Sequence, residues 1–523
     1  MKLEGTSIIG HRRAKAAGKP MPAVNPATGE TLQPDYFFAT KADADAAAKL
    51  AGEAFLEYSR WPAKRRAGLL RRIAELLEEN AAEIVERGHL ETALPVARLQ
   101  SELARTCFQL RLYGESVVTG LSLGARIDHA DPNRKPQPKA DLRSIMVPLG
   151  PVVVFSSTNF PLAYSVAGGD TASALAAGCP VIIKVNQGHP GTSELVGLLV
   201  QQAARECDAP EGIFSLIHGA GQDVGIALVK NPFIKAVGFT GSQAGGRALM
   251  DAAAARPEPI PVYAEMGSIN PVFLLNRVME KKAEEIATGL HNSVTLGVGQ
   301  FCTNPGLIFV QRGDASKTFL EKLEKLMSAT APGTMLTASL CASYQHGVEK
   351  FSQTPGVRRA ASVASAGKTQ GGAALFVTDA ATFLGNKNLM EEVFGPATLV
   401  VECVSREEML ASARVIEGQL TATLHGTPED FSENRELISI LAVRAGRLVC
   451  NGFPTGVEVS HAIVHGGPYP ATSDGRSTSV GTRAVERFLR PLCFQNFPDA
   501  LLPEELMESN PLEVMRLVDG KPA

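Results

Sequence analysis

The segment PVVVFSSTNFPLAYSVAGGDTASALAAGCPVIIKV, residues 151–185, carries the clearest signal for the fold of this chain. It opens with PVVVFSS (151–157), a short apolar run rich in β-branched residues, which predicts a buried strand. The stretch 161–178 predicts a helix closed by Gly178, and the apolar run at 180–185 predicts a second buried strand. Apolar strands joined by a helix are typical of a parallel sheet that is covered by helices on both faces.

The same alternation extends along most of the chain. Upstream, residues 40–120 carry apolar side chains at helical spacing and predict a helical region. The polar, proline-rich segment 128–146 interrupts the pattern and predicts an exposed hairpin or arm. After residue 266 a second alternating block begins, with a long helix predicted at 280–293. We therefore predict an α/β fold with two doubly wound parallel-sheet domains.

The composition is that of an ordinary soluble globular protein and argues against several classes of function. The 523 residues include 51 basic and 54 acidic side chains, which gives a formal net charge of -3. No basic stretch is interleaved with aromatics, so we predict no nucleic-acid partner. No apolar run reaches the roughly 18 residues that span a bilayer, and the N-terminal segment lacks the apolar core of a signal peptide. We therefore predict a cytoplasmic protein without a membrane partner.

One of the eight cysteines differs from the others in its surroundings. Cys302 lies in GVGQFCTNPGL, residues 297–307, a segment too rich in Gly, Thr, Asn and Pro for a helix interior or a regular strand. The cysteines scatter without a CxxC spacing or a nearby Cys/His set, so we predict free thiols and no metal site. For Cys302 itself, a nucleophile, a metal ligand, a disulfide partner and a residue without a role all remain open.

Several features fall where predicted strands end, which in a doubly wound sheet is the edge that binds ligands. Lys184 ends the strand at 180–185. Glycines that let backbone amides approach phosphates follow the next two strands: Gly221, Gly225 and Gly241, the last beside Ser242. Neither glycine run has the GxGxxG pattern, so the alternative that these residues simply form tight turns stays open.

Two polar residues are candidates for acid–base and electrostatic roles. Glu265 lies in the apolar run PVYAEMGSINPV. A carboxylate buried there would have a raised pKa, which suits a general base near neutral pH, whereas the alternative is a strand-edge Glu that faces water. Asn159 directly follows the strand at 151–157, where its amide could donate to a developing oxyanion. The alternative for Asn159 is a plain turn residue.

Together, a thiol, a carboxylate, an amide donor and a nucleotide crevice fit one reaction. The Cys302 thiolate attacks an aldehyde to give a thiohemiacetal, hydride leaves to a nicotinamide, and water activated by a carboxylate hydrolyses the resulting thioester. Each candidate residue has one role in these steps. The residues therefore predict an enzyme that oxidises a small-molecule aldehyde.

The chain also resembles the aldehyde dehydrogenase superfamily over nearly its whole length. Six motifs in the family's order and spacing carry the resemblance: STNFP at 157–161, IK at 183–184, FTGS at 239–242, AEMGSINP at 264–271, GQFCTNPG at 299–306 and EEVFGP at 391–396. The resemblance implies a cofactor-binding Rossmann-like domain, a catalytic domain and a small β arm for oligomerisation. The cofactor-binding domain corresponds to residues 1–125 and 148–265, and the catalytic domain to residues 266–450. The arm corresponds to residues 126–147 together with the C-terminal tail 480–523.

The resemblance assigns roles to residues of these motifs. It implies that Cys302 is the nucleophile, that Glu265 is the general base, and that the Asn159 side chain and the Cys302 backbone amide form the oxyanion hole. Glu392 would contact the cofactor ribose and Phe394 the nicotinamide. The full set of implied cofactor-binding residues is Lys184, Gln187, Gly221, Gly225, Thr240, Gly241, Ser242, Glu392 and Phe394. The family expectation for assembly is a homodimer or homotetramer.

A narrower resemblance is to the α-ketoglutaric semialdehyde (2,5-dioxovalerate) dehydrogenases and the related NADP-dependent fatty aldehyde dehydrogenases. Long stretches carry it, among them LETALPVARLQSELART at 90–106 and the segment 451–482. It implies oxidation of 2,5-dioxopentanoate to 2-oxoglutarate. The alternatives are oxidation of fatty or aromatic aldehydes and a catalytically silent binding relative. The joint presence of Cys302, Glu265 and Asn159 argues against the silent relative.

The resemblance also bears on substrate and cofactor choice. It puts Arg105 on the helix that lines the aldehyde tunnel, where an arginine could pair with a substrate carboxylate; the alternative is a surface arginine. Phe160 and Phe453 are the other substrate residues that it implies. Where NAD-preferring members carry a Glu, this chain has Gln187. The missing carboxylate removes repulsion against a 2′-phosphate, and Lys184 can attract one, which favours NADP+ while NAD+ stays possible.

Overall fold

The computed structural model describes residues 1–365 and 367–523. Within these residues, no helix combines the length and the apolar character needed to cross a membrane. The helices, numbered in chain order, are α1 (Lys41–Tyr58), α2 (Ala63–Glu79), α3 (Ala81–Thr92), α4 (Val96–Val118), α5 (Gly169–Ala177), α6 (Pro190–Glu206), α7 (Ile226–Lys230), α8 (Gln243–Ala254), α9 (Asn276–Thr295), α10 (Asp314–Ser328), α11 (Ala338–Ser352), α12 (Ala380–Gly385), α13 (Arg406–Val415), α14 (Pro428–Glu433) and α15 (Arg435–Ala442).

The strands fall into two large sheets, one smaller sheet and two short pairs. In chain order they are β1 (Ile8–Ile9), β2 (Arg12–Arg13), β3 (Pro20–Val24), β4 (Thr31–Phe37), β5 (Arg126–Asp128), β6 (Leu142–Pro148), β7 (Val152–Phe155), β8 (Val181–Lys184), β9 (Phe214–Ile217), β10 (Ala236–Thr240), β11 (Val262–Glu265), β12 (Val272–Leu274), β13 (Leu307–Gln311), β14 (Gly333–Thr334), β15 (Arg358–Ser362), β16 (Gln370–Gly371), β17 (Ala374–Asp379), β18 (Ala397–Cys403), β19 (Gln419–His425), β20 (Ala445–Cys450), β21 (Leu489–Gln495), β22 (Leu517–Val518) and β23 (Lys521–Pro522).

The first large sheet has the order β11-β10-β7-β8-β9-β1-β2. Its strands from β11 to β9 run parallel, as predicted, with α5 and α6 packed on one face and α7 and α8 on the other. At one edge of this sheet the hairpin β1–β2 joins antiparallel to β9. An N-terminal hairpin reaches the sheet without a crossover helix, so its strands need not run parallel to the rest.

The helix predicted at 161–178 is shorter than expected. Helix α5 starts only at Gly169, and the residues before it form turns. The buried carboxylate of Glu102 accepts hydrogen bonds from two backbone amides of this segment, at 2.8 and 3.0 Å, which holds the segment in a turn. Gly178 closes α5 with a φ of 96°, as predicted. The turn after β7 therefore gives Asn159 a fixed position at the sheet edge.

The second large sheet has the order β15-β17-β18-β13-β12-β19-β20. Its neighbouring strands run parallel except for β15, which pairs antiparallel with β17. Helices α9 and α10 pack on one face, and α11, α13 and α15 pack on the other. Cys302 lies on the loop that enters β13, whereas Glu265 is the last residue of β11. The amino edge of the second sheet therefore meets the carboxyl edge of the first at these two residues.

The smaller sheet has the order β21-β6-β5-β22-β23. Strands β5 and β6 pair antiparallel and flank the largely exposed segment 129–141, which agrees with the hairpin expected there. Strand β21 pairs antiparallel with β6 along its whole length, and the C-terminal strands β22 and β23 complete the sheet. The domain limits drawn from the sequence, and the role of this sheet in assembly, stay predictions.

Candidate active site

Cys302 follows a loop whose backbone requires glycine. Residues Gly297, Val298 and Gly299 all have positive φ angles, of 55°, 58° and 65°. A Cβ atom on Gly299 would also overlap the carbonyl oxygen of Gly395. Three consecutive residues in the left-handed region end the α9 helix and reverse the chain direction. This turn explains the glycine-rich sequence around the thiol.

Two buried amide side chains hold the loop. Asn270 donates from Nδ2 to the carbonyl oxygens of Cys302 and Asn304, at 2.9 and 3.0 Å. Asn159 donates from Nδ2 to the carbonyl oxygen of Gln300, at 3.1 Å. The sequence-predicted Asn159 therefore lies beside the Cys302 loop, and Asn270 is an additional anchor. Fixed backbone on both sides of Cys302 limits the positions open to its sulfur.

Glu265 is buried, with 4% of its surface exposed. Its strand β11 lies at the edge of the first sheet, but residues 471–473 cover that edge. Met266 donates to the carbonyl oxygen of Ala471 at 2.8 Å, and Glu265 forms a bridge with Thr472. The alternative of a strand-edge Glu that faces water is therefore wrong.

His465 joins the thiol to this carboxylate and is the principal residue that sequence reasoning missed. Its Nε2 atom lies 3.5 Å from the Cys302 sulfur and 3.1 to 3.2 Å from the two carboxylate oxygens of Glu265. The backbone amide of His465 donates to the Thr478 hydroxyl at 2.9 Å, and its carbonyl accepts from the Ser479 amide at 2.8 Å. His465 is 163 residues from Cys302 along the chain, so no spacing in the sequence connects them.

The charges of the cluster alter both titrating partners. Burial acts to raise the pKa of Glu265, but the neighbouring charge and hydrogen bond of His465 outweigh it and lower this pKa below its usual range. The expected rise in the Glu265 pKa is therefore wrong, because burial does not act alone. Burial and the Glu265 charge raise the pKa of the Cys302 thiol well above its usual range. The thiol thus rests protonated and needs a base before it can attack.

A cavity of about 160 Å³ opens on the thiol, and its lining includes aromatic and basic side chains and the buried carboxylate of Glu102. The sequence-predicted residues Phe160 and Arg105 both line it. Arg98, which sequence reasoning missed, also lines it, with its guanidinium 4.7 Å from the ring centres of Phe160 and Phe301. Arg98 and Arg105 lie two turns apart on α4 and so share one face of the helix. This face supplies the positive charge of the cavity.

The two arginines differ in their partners. Arg98 lies 3.5 Å from the Glu102 carboxylate. Among the described residues, Arg105 donates hydrogen bonds to two neutral groups, the carbonyl oxygen of Val457 and, at 3.3 Å, the Tyr164 hydroxyl. Its Nε is buried and finds no hydrogen-bond partner among the described residues. Arg105 is therefore a partly buried cation that forms no ion pair among the described residues, an arrangement that favours an anionic ligand.

Phe453, predicted to contact the substrate, lies outside the lining of this cavity. Its ring packs against Gly289 of α9 and lies 4.8 Å from the ring centre of His425. From this segment, Gly456 and Val457 line the cavity instead. The structure therefore does not bring Phe453 to Cys302.

A larger groove of about 820 Å³ lies at the carboxyl ends of β8 and β9. Of the predicted cofactor residues, Lys184, Gln187 and Gly221 line it. Burial lowers the pKa of Lys184 to about 8. Gly225 is buried instead, where an added Cβ would lie 2.8 Å from the Phe155 ring. The loop 22–29 forms part of the opposite wall.

The remaining predicted cofactor residues surround the Glu265 segment. Gly241, which follows Thr240 at the end of β10, donates from its amide to the Glu265 carbonyl oxygen at 3.0 Å. Ser242 caps α8 by accepting from the Gly245 amide at 3.2 Å. Glu392 and Phe394 line a small cavity together with Ser268 and Ile269. These residues thus lie near the Glu265 segment and outside the lining of the groove.

Comparison with known proteins identifies the family. The protein-family model described as "Aldehyde dehydrogenase family" matches residues 13–489 of this chain. The chain belongs to the aldehyde dehydrogenase family. It is 49% identical over 523 residues to "Alpha-ketoglutaric semialdehyde dehydrogenase 2" from Azospirillum brasilense, with 100% of each chain covered. It is 43% identical over 521 residues to "Alpha-ketoglutaric semialdehyde dehydrogenase" from Acinetobacter baylyi, covering 99% of this chain and 98% of that one.

The aldehyde dehydrogenase fold also matches solved structures. Lactaldehyde dehydrogenase from Escherichia coli superimposes with a TM-score of 0.81 at 22% identity, covering 94% of this chain and 98% of that one. The predicted family, fold class and enzyme class are confirmed. As an aldehyde dehydrogenase, the protein oxidises an aldehyde with NAD(P)+ through a cysteine. The roles of individual site residues stay predictions.

Proposed function

We propose that this aldehyde dehydrogenase oxidises 2,5-dioxopentanoate to 2-oxoglutarate and prefers NADP+. The observation that carries the proposal is Arg105, a partly buried cation with no ion-pair partner among the described residues, in the cavity that opens on Cys302. A semialdehyde with a terminal carboxylate supplies the missing partner. The relatives from Azospirillum brasilense and Acinetobacter baylyi, which cover 100% and 99% of this chain, are both named α-ketoglutaric semialdehyde dehydrogenases, which supports the same substrate class.

Cys302 is the proposed nucleophile. Its proton passes from Sγ to the carboxylate–imidazole pair of Glu265 and His465, which lies within 3.5 Å of the sulfur at its nearest atom. The thiolate then attacks the aldehyde carbon and forms the thiohemiacetal. The Asn159 amide and the Cys302 backbone amide stabilise the developing oxyanion. After it has released that proton to solvent, the same pair takes a proton from the water that attacks the thioester, and the Cys302 thiolate leaves as the carboxylate product forms.

The groove at the carboxyl ends of β8 and β9 fits a dinucleotide. It is large, it opens at the edge where parallel sheets bind nucleotides, and its lining includes the partly buried cation Lys184. When bound, NAD(P)+ supplies the hydride acceptor that converts the thiohemiacetal to the thioester. Lys184 and the neutral Gln187 would hold its adenosine end. The charge of Lys184 and the absence of a carboxylate at 187 favour the additional phosphate of NADP+.

The substrate carboxylate would bind to the α4 face of the cavity. Arg105 offers a guanidinium whose Nε has no partner among the described residues. Arg98 lies 4.7 Å from the ring centres of Phe160 and Phe301 and adds positive charge to the cavity lining. Arginine binds a carboxylate through two parallel hydrogen bonds, so this face favours semialdehydes over uncharged aldehydes.

A homodimer or homotetramer is the proposed assembly. Strand β21 forms one edge of the smaller sheet, and most of its residues are exposed. An exposed edge strand is a surface on which a second chain can add. Light scattering coupled to size-exclusion chromatography measures the assembly, and a monomeric mass would contradict this part of the proposal.

The experiment that tests the substrate is a comparison of kcat/KM for 2,5-dioxopentanoate, hexanal and benzaldehyde with NADP+ and NAD+. We expect at least about a tenfold preference for the dioxo acid, equivalent to about 1.4 kcal/mol of transition-state stabilisation. A preference for hexanal or benzaldehyde would contradict the substrate and indicate the fatty or aromatic branch, which the aromatic lining of the cavity would also suit. An absence of turnover with all three aldehydes would indicate a silent relative.

A further inference from the structure

The cluster beside the substrate cavity contains three different metal-ligating groups. The Cys302 sulfur, the His465 Nε2 and a Glu265 carboxylate oxygen all lie within 4.8 Å of one another. Sulfur and nitrogen are 3.5 Å apart, and nitrogen and the carboxylate oxygens are 3.1 to 3.2 Å apart. A thiolate, an imidazole and a carboxylate are the ligands that Zn²⁺ takes in proteins.

These separations agree with tetrahedral geometry. A zinc ion with Zn–S, Zn–N and Zn–O bonds of about 2.3, 2.0 and 2.1 Å sets sulfur about 3.5 Å from nitrogen and nitrogen about 3.3 Å from oxygen. The sulfur–nitrogen and nitrogen–oxygen separations therefore require movements of a few tenths of an ångström at most, and the sulfur–oxygen separation lies within 4.8 Å. We propose that Cys302, His465 and Glu265 form a Zn²⁺-binding site whose occupation reversibly stops aldehyde oxidation. Water from the cavity would complete the fourth position.

Each ligand is carried by a fixed part of the fold. Glu265 ends β11, and its second oxygen accepts from the Ser479 hydroxyl at 3.2 Å. His465 is held by backbone hydrogen bonds on both sides, and the Cys302 carbonyl is held by Asn270. Ligands that are oriented before the ion arrives lose little entropy on binding, and the outer hydrogen bonds keep them aligned.

The ion has a route to the site. Cys302 is partly exposed and lines the cavity of about 160 Å³ that admits the aldehyde. On binding, the Sγ–H bond breaks, its proton leaves to solvent, and a Zn–S bond forms without any change of oxidation state. The sulfur lone pair and the Glu265 oxygen are then engaged by the metal. Neither is available for attack on the aldehyde or for proton transfer.

The test is a calorimetric titration of the full-length enzyme with Zn²⁺ after chelator treatment under reducing conditions. Cys450 and Cys493 are exposed, so the double variant Cys450→Ser/Cys493→Ser serves as the background to remove surface thiols. We expect one ion per chain, loss of aldehyde oxidation with the same midpoint, and full recovery on addition of EDTA. Co²⁺ in place of Zn²⁺ should give the charge-transfer absorption of a metal–thiolate bond, which reports ligation independently of activity.

Variants assign the ligands. His465→Phe should weaken Zn²⁺ binding at least about 100-fold, because loss of even an outer-shell partner costs 10- to 100-fold in affinity. His461→Phe is the matched control, since His461 is exposed on the same segment, and it should bind as the background does. Glu265→Gln, which keeps the side-chain volume, should also weaken binding.

The outcomes separate this proposal from the substrate assignment. Zn²⁺ binding that is equal in the background and in His465→Phe, or that persists in Cys302→Ser with the same affinity, would overturn the site. Circular dichroism of each variant shows whether it is folded, and Glu265→Gln provides a second reading if His465→Phe is not. Substrate preference measured without metal does not enter this test, so either proposal can fail alone.

Discussion

The Nε2 atom of His465 lies 3.5 Å from the sulfur of Cys302 and no more than 3.2 Å from the carboxylate of Glu265. Because the thiol pKa is raised by burial and by the Glu265 charge, the thiol needs help to lose its proton. We predict that His465→Phe lowers kcat about 100-fold, the usual size of a general acid–base contribution. Steady-state kinetics and the rate of Cys302 alkylation by iodoacetamide measure the effect.

The control for this prediction is His461→Phe, which changes an exposed histidine four residues earlier. Its kcat and alkylation rate should match those of the unmodified enzyme. If His465→Phe keeps kcat within about twofold, the histidine has no part in activating the thiol. A loss confined to KM would instead assign it to substrate binding.

Arg105 is predicted to recognise the substrate carboxylate. Arg105→Ala should raise KM for 2,5-dioxopentanoate about 10- to 100-fold, since a hydrogen bond to a charged group is worth about 1.5–3 kcal/mol, and should leave hexanal oxidation unchanged. Arg111→Ala is the matched control, because Arg111 lies on the same helix but pairs with Glu78 at the surface. An equal effect of Arg105→Ala on both aldehydes would sink the assignment.

The lowered pKa of Lys184 leads us to expect that NADP+ binding depends on pH. Burial lowers its pKa to about 8, so the side chain is mostly charged below that pH and mostly neutral above it. KM for NADP+ should therefore rise as the pH increases through 8, and KM for NAD+ should rise less because it lacks the additional phosphate. Lys184→Arg keeps its charge throughout this range and should flatten the rise. The same rise in the Arg variant would mean that another group controls binding.

Gln187 is predicted to permit NADP+. Gln187→Glu adds a carboxylate to the groove without changing the side-chain volume and should lower kcat/KM for NADP+ at least about tenfold through repulsion of the 2′-phosphate. The value for NAD+, measured on the same protein, should hold or rise. A parallel loss with both cofactors would show that the substitution disturbs the groove itself.

Much of the fold and part of the site could be predicted from short segments. The strand–helix alternation around 151–185 predicts the parallel sheet because each buried strand and each helix has its own local pattern of apolar residues. Cys302, Glu265 and Asn159 each stand in a compact motif, and the structure brings all three to the same junction of the two sheets. The position of a functional side chain can be predicted from the local sequence where the side chain lies within or beside a turn that has its own sequence pattern.

The rest depends on contacts that no local pattern encodes. His465 reaches Glu265 across 200 residues, and the pKa of Glu265 falls because of that contact. Helix α5 starts late because Glu102, far upstream, binds the amides of the preceding turn. The family resemblance implies that Phe453 contacts the substrate, yet its ring packs on α9. The chain reaches the substrate cavity only at Gly456 and Val457. Tertiary packing decides each of these positions.

Alanine substitutions at the two glycines that flank Cys302 are expected to affect kcat differently. Gly299 has a φ of 65°, and an added Cβ would overlap the Gly395 carbonyl oxygen, so Gly299→Ala must displace the loop. At Gly306 the nearest atom to an added Cβ is the Ile269 carbonyl oxygen at 3.5 Å, an ordinary contact. We predict that Gly299→Ala lowers kcat about 100-fold, because a shift of about 1 Å in a reacting group costs that much. Gly306→Ala should retain most activity.

The melting temperature and Zn²⁺-free activity of both variants check this last prediction. Gly299→Ala should also lower the melting temperature, because an alanine at this φ adds backbone strain that glycine does not. Gly306→Ala should melt within a few degrees of the unmodified enzyme. Equal activities in the two variants would mean that the position of the thiol does not depend on the left-handed turn. The loop would then be only a connection between α9 and β13, and the chemistry would rest on the Glu265 side of the site.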